Sequence, residues 1–198
     1  MTLRYWYDFE FIENGFTIVP ISIGIVADDG RTYYAVNAKA PWTAIRKNKW
    51  LMDNVIPGLP QAHGDARNHM PNRWLFNMVD PAVKPLKQIA TEVRRFLTAA
   101  GPCELWGYYA AYDHVCLAQL WGPMMSLPPG IPMWTNDVQQ LAAALEVEGI
   151  LPPQAAGTLH NALGDARWTR DAHAFCINQQ AAQLNARMER ILNREKGL

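Results

Sequence analysis

The stretch RYWYDFEFIENG, residues 4–15, is an aromatic and apolar run typical of a β-strand, yet it carries two carboxylates. Side chains two residues apart share one face of a strand, so Asp8 and Glu10 would lie side by side. An edge strand with a solvated face would tolerate this pair, whereas the flanking Trp6 and Phe9 favour a buried, central strand. Two buried like charges need a shared proton or a cation, and carboxylate oxygens suit Mg²⁺ or Mn²⁺.

A hairpin is predicted directly after this strand. TIVPISIGIVADDGRTYYAVN, residues 17–37, holds two apolar, β-rich runs on either side of Asp28-Asp29-Gly30, and Asp-Gly between such runs is a strong turn signal. The first three strands are therefore expected to form an antiparallel meander. A further buried strand is predicted at CELWGYY, residues 103–109.

Helical patterns occupy most of the remaining chain. Predicted helices cover 41–56, 83–101, 112–122, 136–149 with Asn136 as its N-cap, and 159–198 with a break near Asn178, whereas 57–82 is predicted to be a long surface loop. This order indicates an α/β domain in which the meander is extended by strands that are reached through helices. Functional sites in such sheets lie at strand ends.

The composition is that of an ordinary globular domain. With 198 residues, of which 49% are hydrophobic and 18% charged, the chain can bury a sufficient core without disulfides or a structural metal. We expect one domain over 1–178 and a C-terminal helix, 179–198, that packs on the domain or on a partner subunit. No apolar run approaches about 18 residues, so neither a membrane span nor a signal peptide is expected. Three cysteines without paired spacing favour a reducing compartment, by default the cytoplasm.

Three more residues extend the acidic pattern later in the chain. Asp113 follows the buried strand at the start of a helix, where the simple alternative is an acidic residue stabilised by the helix dipole. His160 and Asp165 lie five residues apart in TLHNALGDARWT, on a helix that would set them roughly 140° apart around its axis. Each of these residues alone is typical of a helix surface, but their joint order with the first pair indicates a site.

This order resembles the DEDD superfamily of 3′-5′ exonucleases, in the branch with a histidine, called DEDDh. The matching pieces are YDFEFI, YYAAYDHV and HNALGDAR. The longer runs DFEFIENG, ISIGIVADDGRTYYAV and AYDHVCLAQLWGPM resemble the RNase T-like exoribonucleases of actinobacteria and their phages. The resemblance covers most of residues 3–175, and it implies an RNase H-like fold, an antiparallel meander extended by parallel strands and flanked by helices.

The resemblance also implies a hydrolytic site with two Mg²⁺ or Mn²⁺ ions. Asp8, Glu10, Asp113 and Asp165 would be the four metal carboxylates, and His160 would be the general base. Hydrolysis of a phosphodiester needs a deprotonated water and a stabilised leaving oxygen, which two ions about 4 Å apart supply, while a histidine accepts the proton of the water. Lys plus Arg and Asp plus Glu number 18 each, so setting these four carboxylates aside leaves the rest of the chain at +4, which suits a nucleic-acid enzyme.

Aromatic and basic side chains are candidates for substrate contact. Phe11 and Ile12 follow the acidic pair directly and could bracket a terminal base, because bases stack on aromatic rings, although a core position is the alternative. Members of this branch usually carry His-Asn ahead of the third acid, where this chain has Tyr108 and Tyr109, so Tyr109 occupies an expected contact position. Arg167 could neutralise the pocket or a phosphate, or form a surface ion pair. Weaker candidates are Trp42, Trp50, Trp74, Arg46, Lys47, Lys49, Arg67, Arg73, His63 and His69.

Together these patterns predict a metal-dependent 3′-5′ exoribonuclease. It would release nucleoside 5′-monophosphates from single-stranded RNA or from RNA with a 3′ overhang. Three alternatives stay open. They are the same chemistry on single-stranded DNA, a non-catalytic nucleic-acid-binding protein on the same fold, and a carboxylate-based metal hydrolase of small nucleotides, which would have a closed pocket and not an open groove. The C-terminal helix also suggests a homodimer, because four apolar residues recur there at helical spacing, namely Leu184, Met188, Ile191 and Leu192.

Overall fold

A computed structural model describes residues 2–63 and 74–195 of the chain. The strands are β1 (Leu3–Glu13), β2 (Ile18–Ala27), β3 (Thr32–Asn37), β4 (Val83–Lys84), β5 (Cys103–Gly107) and β6 (Asn136–Asp137). The α-helices are α1 (Trp42–Ile45), α2 (Lys49–Asn54), α3 (Leu86–Thr98), α4 (Ala111–Gln119), α5 (Val138–Ala144) and α6 (Ala162–Glu195). Short 3₁₀ turns lie at Ile56–Gly58, Met124–Ser126 and Glu148–Ile150.

These strands form one mixed sheet in the order β4-β3-β2-β1-β5-β6. β1 pairs antiparallel with β2, and β2 with β3, whereas β1–β5, β3–β4 and β5–β6 are parallel pairs. The predicted α/β fold, an antiparallel meander extended by parallel strands and flanked by helices, is confirmed. β1 lies between β2 and β5, so its two carboxylates belong to a central strand and not to an edge.

The two faces of β1 have different partners. Its odd-numbered residues from 5 to 9 point into the larger hydrophobic core, which α3 and α4 cover. On the other face, the ring centroid of Trp6 lies 5.6 Å from that of His173 in α6. Because side chains alternate along a strand, Asp8 and Glu10 lie on this second face, toward α6.

Gly24 brings the start of α6 onto the sheet beside the acidic pair. It is the residue of β2 paired with Asp8. A β-carbon added to Gly24 would lie 2.2–2.3 Å from backbone atoms of Ala162 and Leu163, which is closer than any side chain allows. Only glycine therefore permits this contact between strand and helix backbones, and the helix that makes it carries Asp165 one turn further on.

Three of the predicted helices differ locally from the structure. The helix expected over 83–101 begins at Leu86, because Val83 and Lys84 pair with β3 as strand β4. The helix expected over 41–56 is interrupted, because the side-chain oxygen of Asn48 accepts the N–H of Leu51 at 3.1 Å and starts α2 as a separate helix. Asn136 is not the N-cap of the helix after it. Its side-chain amide donates to the carbonyl of Leu105, and the neighbouring Asp137 caps α5 instead, accepting the N–H of Gln139 at 2.8 Å.

The last helix also differs from expectation. The predicted break near Asn178 is wrong, since α6 runs without interruption from Ala162 to Glu195. Asn178 is exposed, so its side chain can face water without competing for the helical backbone. Residues 181–194 are exposed apart from the half-buried Ala186, and the side chain of Gln183 donates to the carbonyl of Leu145.

Within the described parts of the chain, no helix combines the length and the apolar character that crossing a membrane requires. The three cysteines are buried free thiols.

Candidate active site

Three carboxylates from two elements meet at one place. One oxygen each of Asp8, Glu10 and Asp165 lies within 4.8 Å of the other two. The first two come from the helix-facing side of β1, and Asp165 comes from the first turn of α6. The contact at Gly24 brings these elements together, so residues far apart in the sequence share one small volume. Three of the four carboxylates named in the sequence analysis are therefore neighbours in the structure.

The fourth predicted carboxylate, Asp113, lies next to this group but outside it. It is buried in the first turn of α4, and its Oδ1 accepts the backbone N–H of Phe9 at 2.8 Å. Phe9 is the residue between Asp8 and Glu10, so this bond ties Asp113 to the acidic stretch of β1. The backbone of β1 therefore holds one oxygen of Asp113.

The environment of these four groups favours their protonated forms. Burial, followed by the charge of Asp165, raises the pKa of Glu10 to about 8. Burial raises the pKa of Asp113 to about 7 despite its bond to Phe9, and burial together with the charge of Asp113 raises the pKa of Asp8 well above its ordinary value. The pKa of Asp165 is also raised by burial, and its carboxyl shares a hydrogen bond with Glu10.

The donor set fits hard divalent cations. Every candidate ligand is a carboxylate oxygen, the kind that Mg²⁺ and Mn²⁺ prefer. Among the described residues, no ion pair includes any of the four carboxylates. A carboxylate that is removed from water and has no positive partner is stable only when it binds a proton or a metal ion. The same loss of hydration raises the pKa values of these four groups.

Gln154 is a site residue that sequence reasoning missed. Its side-chain amide donates to Oδ1 of Asp165. It lies in the irregular segment before α6, in a proline-containing stretch that offers no periodicity or motif. The bond fixes one oxygen of Asp165, a role that only the folded chain reveals.

His160 lies at the site, but not on a helix. It precedes α6 with a backbone φ of 58°, in the left-handed region that is uncommon for residues other than glycine. The predicted angle of 140° around a common helix is therefore wrong. The imidazole is half-buried, its positive form lowers the pKa of Asp165, and its ring centroid lies 4.9 Å from that of Trp50.

The tyrosine pair ahead of Asp113 forms a tight turn at the end of β5. Asp137 holds this turn by accepting the backbone N–H of Tyr109 at 3.3 Å and that of Ala110 at 2.9 Å. Tyr109 has a φ of 54° and a side chain that is 64% exposed, whereas the ring of Tyr108 packs 4.7 Å from that of Trp168. Tyr109 thus faces solvent beside the acidic group, and Asp137 is a further residue that sequence reasoning missed.

Phe11 and Ile12 are both half-buried, on opposite faces of β1. The ring of Phe11 stacks on that of Tyr112, with centroids 5.7 Å apart and planes at 12°. Phe11 follows Glu10 and Tyr112 precedes Asp113 in the sequence, but Phe11 packs against the larger core, on the face of β1 opposite to Asp8 and Glu10. Ile12 packs against the smaller core beside β3, and Arg167 is exposed on α6 two residues after Asp165.

The weaker candidates divide into several groups. Trp74 is buried in the smaller core beside β3, and Trp42 packs against it. The predicted contact of Trp74 with a base is therefore wrong. Arg46 lies over the ring of Trp74, 4.1 Å from its centroid, and Lys49 pairs with Asp53. His63 and Lys47 are exposed, whereas Trp50 touches His160. Arg67, His69 and Arg73 lie outside the described residues.

Comparison with known proteins identifies the family. The model of the "3'-5' exoribonuclease Rv2179c-like domain" family matches residues 3–177, so the chain belongs to that family. It is similar to 3'-5' exoribonuclease Rv2179c of Mycobacterium tuberculosis strain H37Rv, with 41% identity over 169 residues that cover 83% of this chain and 88% of the relative. The same figures apply to 3'-5' exoribonuclease MT2234.1 of M. tuberculosis strain CDC 1551.

Proposed function

We propose that this protein is a divalent-metal-dependent 3′-5′ exoribonuclease of the DEDDh type. Its substrates would be single-stranded RNA and RNA with a 3′ overhang, and its products nucleoside 5′-monophosphates. One observation carries the proposal, the convergence of Asp8, Glu10 and Asp165 within 4.8 Å, with buried Asp113 alongside, in a member of an exoribonuclease family. Its proposed place is the cytoplasm, in keeping with three buried free thiols.

The four carboxylates would hold two Mg²⁺ or Mn²⁺ ions. Asp8, Glu10 and Asp165 supply converging oxygens, and Asp113 supplies the oxygen that Phe9 does not bind. Bound ions would lower the pKa of the attacking water and stabilise charge on the leaving oxygen. The role of the protein is to hold these oxygens in place, through the backbone bond to Asp113 and the amide of Gln154 on Asp165.

His160 would accept the proton of the attacking water. The left-handed backbone at this position turns the chain just before α6, and the imidazole lies close enough to Asp165 to lower the pKa of that carboxyl. A half-buried imidazole retains access to solvent, so it can pass the proton on after each turnover. Histidine is well suited to this step because its ordinary pKa lies near neutrality.

Substrate contacts would come from side chains that are neighbours of the acidic residues along the chain. The Phe11–Tyr112 pair offers an aromatic platform for a base near the 3′ end, with Ile12 on the other side of the strand. Tyr109 faces solvent at the end of β5 and would contact the ribose or phosphate in place of the His-Asn pair. Arg167, exposed two residues after Asp165, would attract the phosphate backbone.

Changing Phe11 to leucine is expected to raise KM for RNA roughly tenfold with little change in kcat. Leucine keeps the apolar contact with the core but loses the flat face on which a base stacks, an interaction worth about 1–3 kcal/mol. Steady-state kinetics on a short labelled RNA would measure both constants. The matched control is Phe16→Leu, at a fully exposed ring in the β1–β2 turn. Unchanged KM in Phe11→Leu would show that Phe11 is a core residue only.

The proposed function itself is tested on labelled RNA and DNA substrates. Purified protein is incubated with single-stranded RNA, RNA with a 3′ overhang and single-stranded DNA, each with Mg²⁺, Mn²⁺ or EDTA, and the products are resolved over time. Stepwise metal-dependent loss of 3′ nucleotides from RNA is the expected result. Preferential loss from DNA would favour the alternative substrate, and binding without cleavage would favour a nucleic-acid-binding protein.

The exposed part of α6 would pair with a second copy of the chain. Its apolar residues Leu184, Met188, Ile191 and Leu192 are each about half exposed, between 48% and 59%. Such a stripe on an otherwise polar helix is typical of a helix–helix interface. Light scattering on the full chain should give about twice the 22.3 kDa of one copy, and a monomer at micromolar concentration would contradict the pairing.

A further inference from the structure

Trp50 is a large aromatic residue that lies outside the hydrophobic cores of the protein. It is 53% exposed, while its neighbour Leu51 is buried in the hydrophobic cluster beside β3. Its ring meets that of His160 edge to face, with centroids 4.9 Å apart and planes at 73°. Edge-to-face pairs are a favourable arrangement of aromatic rings, so Trp50 has a specific partner although it is largely open to water.

The backbone around His160 is fixed by the 3₁₀ turn that follows α2. The side-chain amide of Asn161 donates to the carbonyl of Gly58 at 2.6 Å. The carbonyl oxygen of His160 lies so near Gly58 that a β-carbon there would be 2.7 Å from it. Asn161 also accepts the N–H of Gly164 at 2.9 Å and so caps the start of α6. These contacts fix the main chain, but they leave the imidazole free to rotate about its own side-chain bonds.

Helix α2 is a firm support from which to restrict that rotation. Asn48 caps its first turn, and Leu51 anchors it in the core. Trp50 is therefore presented to His160 from an element that is itself tied to the sheet. The same segment thus fixes both the backbone and the ring of the residue that would act as the base.

We propose that Trp50 is a positioning residue for His160. Its ring restricts the imidazole to the orientation that accepts the proton of the attacking water, and it shields one side of that imidazole from bulk water. This inference rests on the proposed function, because it assigns Trp50 a role through the base. It differs from base stacking, in which Trp50 would touch the RNA and act without His160.

A double-mutant cycle separates the two roles. Trp50→Leu is expected to lower kcat about three- to tenfold with KM nearly unchanged, and Trp50→Phe should retain most of kcat because it keeps an aromatic edge. In a His160→Ala background, Trp50→Leu should have no further effect, since the group it positions is gone. The matched control is Trp134→Leu, at a tryptophan that is 64% exposed and lines a depression with Thr2 and Cys103.

A measurement without substrate checks the contact directly. In the metal-free protein, the imidazole proton resonances of His160 should shift in Trp50→Leu, because the ring current of the indole is lost, and should stay unchanged in Trp134→Leu. A raised KM, or an effect of Trp50→Leu that persists fully in the His160→Ala background, would show a contact with RNA and overturn the proposal. If His160→Ala alone turned over like the wild type, the proposed base itself would be wrong.

Discussion

Replacing Glu10 with glutamine should reduce metal-dependent RNA hydrolysis by on the order of a thousandfold and, at the same time, stabilise the metal-free protein. Glutamine removes the charge of one metal ligand but has nearly the same shape. Its amide can donate to Asp165, as a protonated Glu10 does in the hydrogen bond that these two side chains share. Activity and stability are therefore expected to change in opposite directions from one substitution.

The stability gain should depend on pH in a defined way. Glu10 has an ordinary pKa of 4.5 and a pKa of about 8 in the folded protein, so the fold favours its protonated form. That contribution is complete below about pH 4.5 and is lost as the pH rises toward 8. In EDTA, the Tm of the wild type should thus fall between pH 5 and pH 8.5, less steeply for Glu10→Gln, and the two curves should converge at the acid end.

Thermal unfolding across this pH range measures the effect. Each kcal/mol corresponds to about 2–4 °C in Tm for a domain of this size, so a difference of several degrees at pH 8 is expected. Saturating Mn²⁺ should raise the Tm of the wild type at pH 8 more than that of Glu10→Gln. The matched control is Glu148→Gln, at an exposed position in the 3₁₀ turn Glu148–Ile150. Equal Tm values for Glu10→Gln and the wild type at pH 8 would contradict this account.

Replacing His160 should lower kcat by about a hundred- to ten-thousandfold while metal binding is retained, the usual range for loss of a general base. Two variants are needed because the backbone here is left-handed. His160→Ala removes the imidazole but strains the chain, whereas His160→Asn also removes it and tolerates this conformation. Similar losses in both would place the defect in chemistry and not in the backbone.

Single-turnover rates and Mn²⁺ titration calorimetry distinguish the role of His160 from that of a ligand. The rate should fall in both variants, and the affinity for Mn²⁺ should change little, because the four carboxylates are intact. Glu148→Gln, at an exposed position in the 3₁₀ turn Glu148–Ile150, provides the comparison. Wild-type turnover in His160→Asn would mean that another group accepts the proton.

The acidic pair could be predicted from sequence because its geometry is local. Alternation along a strand places Asp8 and Glu10 on one face whatever surrounds them, and apolar neighbours indicate a buried strand. Asp113 and Asp165 were predicted from the order of motifs and from a family resemblance, since no local rule joins residues so far apart. Their proximity depends on how α4 and α6 pack against β1, which requires the complete fold.

Contacts from distant or irregular segments could not be predicted. Gln154 lies in a loop without periodicity, and the pairing of Trp50 with His160 joins segments more than a hundred residues apart. Trp74 was a candidate because it lies outside the predicted apolar strands, within the loop expected over 57–82, but the smaller core beside β3 buries it. Asn136 and Asp137 are both good capping residues, and the choice between them depends on the sheet contact that occupies Asn136.

The contact between the backbone of Gly24 and that of Ala162 and Leu163 has a consequence for ion selectivity. With no side chain between β2 and the start of α6, the separation between the carboxylates on β1 and Asp165 is set by main-chain atoms, which do not yield as side chains do. Mg²⁺ demands short bonds in strict octahedral geometry, whereas Ca²⁺ needs a wider and more adaptable cage of ligands. Because this contact between β2 and α6 is rigid, Ca²⁺ should be a poor substitute for Mg²⁺ in RNA hydrolysis. Equal rates of hydrolysis with Mg²⁺ and Ca²⁺ would show that the carboxylates can move apart.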